Sequence, residues 1–188
     1  MAKILSKFIF WLTGWKVVGG FPPEVKQAVM VAAPHTSNWD FLYARCAFFI
    51  MGVPLKFTIK KEVMFFPLGP ILTAMGAIAI DRKAGMKKNK DGKSTVQAMA
   101  DLYKEHEQLV IIVTPEATRK YQPKWKTGFY HVAELAQVPI VMGYLDYDKK
   151  HAGVGPVFNT TGSMEADIEQ IKDFYRTKKA KYPQNGVL

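Results

Sequence analysis

A histidine and an aspartate stand five positions apart in "PHTSNWD", residues 34 to 40. Imidazole accepts a proton near neutral pH, and a carboxylate on its far nitrogen fixes the tautomer and steadies the imidazolium. His35 and Asp40 therefore have the residue types of a proton-abstracting pair. Taken alone, the stretch has a simpler reading as a helix start. Ser37 and Asp40 form S-x-x-D, a serine cap with an acid in the first turn facing the positive helix end. The two readings support each other. On one continuous helix the two side chains would point about 140° apart. They meet only if His35 lies on the turn before the helix and Asp40 in its first turn.

A base of this kind needs something to deprotonate. Hydrolases of the Ser-His-Asp type hold their serine on a sharp turn within G-x-S-x-G, and none of the four serines has that context. A pair without its own nucleophile implies that the substrate brings the hydroxyl, so the reaction is group transfer to an alcohol. Two further segments, "IDR" with Asp81 and Arg82 and "TPEATR" with Glu116 and Arg119, each offer a guanidinium suited to phosphate. The same residues could form plain surface ion pairs, Asp81 with Arg119 or Glu116 with Arg82.

These groups must be carried by something. Runs rich in β-branched residues at 29–33, 55–59, 77–80, 109–114 and 139–145 read as strands. Helical patterns occupy 38–51, 67–75, 94–106 and 128–137, with Ser94 and Gln97 as a capping box. A last helix opens at Ser163 and runs to about Lys181, with Ile168, Ile171 and Phe174 or Tyr175 on its apolar side. The near-continuous apolar strands predict an α/β fold, a single domain with a mixed, largely parallel sheet flanked by helices. His35, Asp81, Arg82, Glu116 and Arg119 then all follow strand ends, where parallel strands would gather them on one edge. The segment 83–93, "KAGMKKNKDGK", reads as a basic loop.

The chain has 188 residues and a net charge of +10, which suits a polyanion, an anionic membrane surface or a phosphorylated substrate. The lone Cys46 excludes an internal disulfide framework, and its apolar setting reads as a buried small hydrophobe. Scattered His106, His131 and His151 form no metal-ligand spacing, "GVGP" at 153–156 is only a fragment of a nucleotide fingerprint, and no nucleic-acid motif occurs. No metal and no nucleic-acid partner are expected. The N-terminal apolar run from Phe8 to Val18 is shorter than the ~20 residues of a spanning helix. With Trp11, Trp15, Lys3, Lys7 and Lys16 it reads as an amphipathic helix over 1–20, lying in the lipid headgroup layer or docked on the protein's own core, before a main domain at 21–188.

The order of these stretches resembles the glycerolipid acyltransferases of the lysophosphatidate acyltransferase (PlsC-like) family over roughly residues 29 to 145. "HTSNWD", "GAIAIDR", "TPEATR" and "VPIVMGYL" stand in the order of that family's four blocks. "KKEVMFFPLGPIL" and "KWKTGFYHVAELAQ" are similar to the stretches between and beyond them. The resemblance implies that His35 is the general base, oriented by Asp40, and that it deprotonates an acceptor hydroxyl for attack on an acyl thioester. It implies that Arg82 binds the acceptor's phosphate, with Asp81, Glu116, Thr118, Arg119 and Lys126 in the same pocket, and that Pro139 belongs to the acyl-donor side. It implies acyl-CoA or acyl-carrier protein as co-substrate and no bound cofactor. Its acceptor is a lyso-glycerophospholipid, 1-acylglycerol 3-phosphate by default, and its place is a peripheral one on the cytoplasmic face of the cell membrane. The third block departs from the family's Phe-Pro-Glu-Gly-Thr-Arg, with Thr114 for the Phe and Ala117 for the Gly. Another lyso-lipid, such as an amino-acid lipid, or a non-catalytic basic lipid-binding module therefore stays open as an alternative.

Overall fold

The structure, a computed structural model, describes residues 1–53, 55–80 and 94–188. In chain order the elements are α1 (Ala2–Thr13), β1 (Lys16–Val18), β2 (Gln27–Ala32), α2 (Trp39–Met51), β3 (Leu55–Lys60), α3 (Leu68–Ala74) and β4 (Ala77–Ile80). There follow α4 (Thr95–Glu105), β5 (Leu109–Val113), α5 (Gly128–Ala136), β6 (Ile140–Asp146), β7 (His151–Phe158) and α6 (Met164–Arg176).

Seven described strands form one sheet in the order β1-β7-β6-β2-β5-β3-β4. Only the β6–β7 pairing is antiparallel. The expected mixed, largely parallel α/β sheet is the one observed. Its central strand shows why: successive side chains of a strand point to opposite faces, and β2 buries both. Ala28 and Met30 pack with Phe48 and Leu55 beneath α2, while Val29 and Val31 pack with Tyr103, Phe129 and Ile171 from α4, α5 and α6.

The connections set the site. The chain leaves β2 through α2 and skips over β5 to reach β3, whereas it leaves β5 through α5 and skips over β2 to reach β6. β2 and β5 are neighbours whose outgoing connections depart to opposite sides. A crevice opens at the carboxyl ends of two such strands, and both carry candidate groups there: His35 and Asp40 after β2, Glu116 and Arg119 after β5.

Three departures from the sequence expectations exceed a residue or two. The N-terminal helix ends at Thr13, because Gly14 adopts a left-handed cap (φ 75°), and Lys16–Val18 then join the sheet as β1 instead of extending a helix to residue 20. β7 carries two glycines and a proline, which hide its strand pattern. Both glycines answer to packing: a Cβ on Gly153 would sit 2.3 Å from the Val18 carbonyl oxygen of β1, and one on Gly155 2.4 Å from the Phe174 ring. "GVGP" is thus strand, not phosphate loop. The last helix stops at Arg176, and Ser163 precedes it without a side-chain cap bond.

Candidate active site

α2 begins at Trp39, and the turn before it carries His35. The Ser37 hydroxyl accepts the Trp39 N–H at 3.2 Å, while Asp40 in the first helical turn reaches back to accept the Thr36 and Ser37 N–H groups on Oδ2 at 2.8 and 2.9 Å. This is the acid's half of a capping box. It also aims the carboxylate at His35, whose Nδ1 lies 3.2 Å from the same oxygen. The cap and the pair are one structure. Nδ1 engaged with Asp40 leaves Nε2 as the nitrogen for a substrate proton, and the His35 side chain, 22% exposed, lines a cavity.

Asp40 is nearly buried, and burial alone would raise its carboxyl. Bonds from His35, the Tyr147 hydroxyl and the Ser37 and Thr36 N–H groups outweigh that effect and hold it below the usual carboxylate range. Asp40 is therefore ionised at neutral pH.

The loop after β5 folds back on itself, with the Lys126 N–H donating to the Pro115 carbonyl at 2.8 Å. Glu116, only 3% exposed, turns away from the cavity and accepts the His35 N–H on Oε2 at 3.0 Å. Its other oxygen is buried without a hydrogen-bond partner among the described residues. Burial first, and the Asp40 charge second, push its carboxyl up to about 8, so Glu116 is largely neutral at pH 7. The next residue, Ala117, sits at φ 55°. Left-handed backbone of this kind costs a residue with a Cβ roughly 1–2 kcal/mol, and glycine almost nothing.

Above the pair lies a cavity of about 1040 Å3. Thr118, Arg119 and Lys126 line it from the β5 loop, with Arg119 and Lys126 exposed. Its other arm runs between α2 and β3, past Phe41, Ala44, Phe48, Met51 and Phe57. One wall of this arm carries Arg45, whose guanidinium lies 4.2 Å from the centre of the Phe49 ring and whose Nε is buried without a hydrogen-bond partner among the described residues. The cavity is thus cationic along the β5 loop and, apart from Arg45, apolar along α2 and β3, with an imidazole between them.

A family model described as Acyltransferase matches residues 17–143, which include His35, Asp40, Thr118, Arg119 and Lys126 of this crevice. The chain belongs to the acyltransferase family. The solved structures include a similar chain, the 1-acyl-sn-glycerophosphate acyltransferase PlsC from Thermotoga maritima. The match has a TM-score of 0.60 at 14% identity and covers 96% of this chain and 80% of that one. Comparison with curated proteins gives no match.

In this acyltransferase the crevice gathers His35, Asp40, Thr118, Arg119 and Lys126, with Glu116 serving the loop backbone instead of the cavity wall. Pro139 is not brought to the site. It sits at the start of β6, level with Ala28 in the register, about 13 Å down the sheet from the Ala32 end of β2. Asp81 and Arg82, with the basic segment 83–93, lie outside the described residues. Among the described residues no cluster of three or more His, Cys, Asp or Glu could hold a metal ion. Sequence reasoning missed Tyr147 and Arg45. Tyr147 is in no motif, and Arg45 stands in "YARCAFF", where an arginine amid apolar helix residues is the signal that could have found it.

Two outcomes are expected from the β5 loop. Ala117→Gly should stabilise the protein by about 1 kcal/mol in urea unfolding, because glycine relieves the left-handed strain. Glu116 has a folded-state pKa raised from its ordinary 4.5 to about 8, so the native state binds more protons than the unfolded chain across that window. The stability due to this group is full below the lower value and is lost as pH rises to the upper one. Glu116→Gln should flatten that slope and raise the urea midpoint above wild type at pH near 8.

Proposed function

We propose that the protein transfers a fatty acyl group from an acyl thioester, acyl-CoA or acyl-carrier protein, to the hydroxyl of a lyso-glycerophospholipid. The observation carrying this reading is the His35–Asp40 pair at 3.2 Å, set between a cationic rim and an apolar arm. His35 Nε2 takes the proton of the acceptor hydroxyl as its oxygen attacks the thioester carbonyl. The C–O bond forms, the C–S bond breaks, and the imidazolium returns its proton to the departing thiolate. Arg119 and Lys126, with Arg82 by resemblance, receive an anionic headgroup, and the apolar arm receives an alkyl chain. 1-Acylglycerol 3-phosphate is the default acceptor. Ala117 in the loop that carries Arg119 favours testing other lyso-lipid headgroups beside it, amino-acid lipids included.

The N-terminal helix supports work at a lipid surface. One stripe of α1, Ser6 and Phe10, docks on the protein and the rest presents Ile4, Phe8, Trp11 (76% exposed) and Leu12 outward. Lys3 and Lys7 on the same helix suit an anionic headgroup layer. No helix among the described residues is long and apolar enough to cross a membrane. This supports peripheral attachment, for which the cytoplasmic face is the expected side.

Purified protein offered labelled acyl-CoA or acyl-carrier protein and a panel of lyso-lipids should yield a diacyl product by mass spectrometry. His35→Ala should lower the rate by about 10²–10⁴-fold with an unchanged circular dichroism spectrum. A folded His35→Ala protein with wild-type turnover would remove the proposed base, and absence of product from every pairing would favour a lipid-binding module. Wild type should also sediment with phosphatidylglycerol vesicles, and a Phe8→Ser, Trp11→Ser double variant should remain largely in the supernatant. Equal sedimentation of the two would exclude α1 as the anchor.

A further inference from the structure

The Asp40 carboxylate has two oxygens with different duties. Oδ2 serves His35 and the Thr36 and Ser37 N–H groups, while Oδ1 accepts one bond, from the Tyr147 hydroxyl at 2.6 Å. Tyr147 follows β6, beyond the residues that the family model matches.

We propose that Tyr147 is a positioning residue for the proton-transfer pair, its hydroxyl locking the Asp40 carboxylate in the plane that faces His35. This rests on the acyl-transfer reading for its effect on turnover, though not for its effect on Asp40. The torsion that turns a carboxylate about its terminal bond is broad and roughly two-fold. Donors on one oxygen alone leave that rotation soft, and rotation would take Oδ2 off the His35 ring. A donor on the second oxygen, from another part of the chain, pins the plane.

The tyrosine is well held for this task. Its ring meets Trp15 edge to face at 5.0 Å and Tyr43 at 6.2 Å, and Trp15 stacks on Tyr43 at 4.4 Å. Its N–H donates to the Lys179 carbonyl at 2.8 Å. Trp15 in turn follows the Gly14 cap of α1 and donates its N–H to Phe10 at 2.9 Å. The Asp40 plane is therefore set by both ends of the chain. Burial and the neighbouring carboxylate raise the Tyr147 phenol, so it stays a donor wherever the enzyme would be assayed.

Tyr147→Phe keeps the ring stack and removes only the donor. In carboxyl-carbon NMR, with the Asp40 signal assigned by its absence from Asp40→Asn, the Asp40 titration should move to higher pH in Tyr147→Phe. Turnover should fall by about tenfold or more, the size expected for one charge-assisted hydrogen bond, with KM little changed. Placing 3-fluorotyrosine at 147 makes the phenol a better donor without changing the fold and should move the titration the other way, which decides the matter should the phenylalanine variant not fold. An unmoved Asp40 titration in both proteins would overturn the proposal, as would wild-type kcat in Tyr147→Phe when His35→Ala is inactive. A wild type that transfers no acyl group would refute the reaction alone, because the NMR titrations still decide the hydrogen bond.

Discussion

One buried carboxylate organises the site. Asp40 draws two backbone N–H groups and an imidazole from one turn, and a phenol 107 positions away, onto its two oxygens. The backbone donors shape the turn that carries His35, the imidazole is the proposed base, and the phenol comes from the residue after β6, the strand that pairs with β2. A carboxylate removed from water without such partners would take up a proton. Its charge survives because the turn before α2 and the residue after β6 both supply donors.

The sheet explains why these parts meet. β2 and β5 lie side by side, yet one hands the chain to α2 and the other to α5 on the opposite face. Loops that part in this way leave a crevice between them, and its walls inherit the character of the two helices' surroundings. Beneath α2 the wall is aromatic and aliphatic; along the β5 loop it presents Thr118, Arg119 and Lys126. An amphipathic substrate is thus matched by the topology before any single contact is considered.

The parts legible in the sequence are those with a local signal. Five strands announced themselves by β-branched runs, and Ser37 with Asp40 announced the start of α2, because the forces that shape them act within a few residues. β1 and β7 did not. Three residues after a glycine cap carry no period, and Gly153 and Gly155 make sense only against Val18 and Phe174, distant in sequence. The same limit governs the site. His35 and Asp40 were found by spacing, whereas Tyr147 reaches Asp40 across 107 positions with no motif to mark it. Pro139 shows the converse: a residue inside a recognisable block can lie at the wrong end of its strand, because a block records sequence order and the register decides position.

Two carboxyl groups flank His35, and their environments drive them apart. Asp40, rich in donors, is held ionised, while Glu116, buried with a single backbone donor and facing the Asp40 charge, is pushed up to about 8. Such a split assigns roles, since only the ionised member can steady an imidazolium. Were both ionised, two negative charges beside His35 would hold its proton more tightly and, in the proposed reaction, hinder its return to the leaving thiolate. With Glu116 neutral, its Oε2 still fixes the His35 backbone through the N–H bond at 3.0 Å without adding charge. The neutral acid supports the loop and the charged one faces the proposed base, so the site joins a histidine held through its backbone to a single counter-charge.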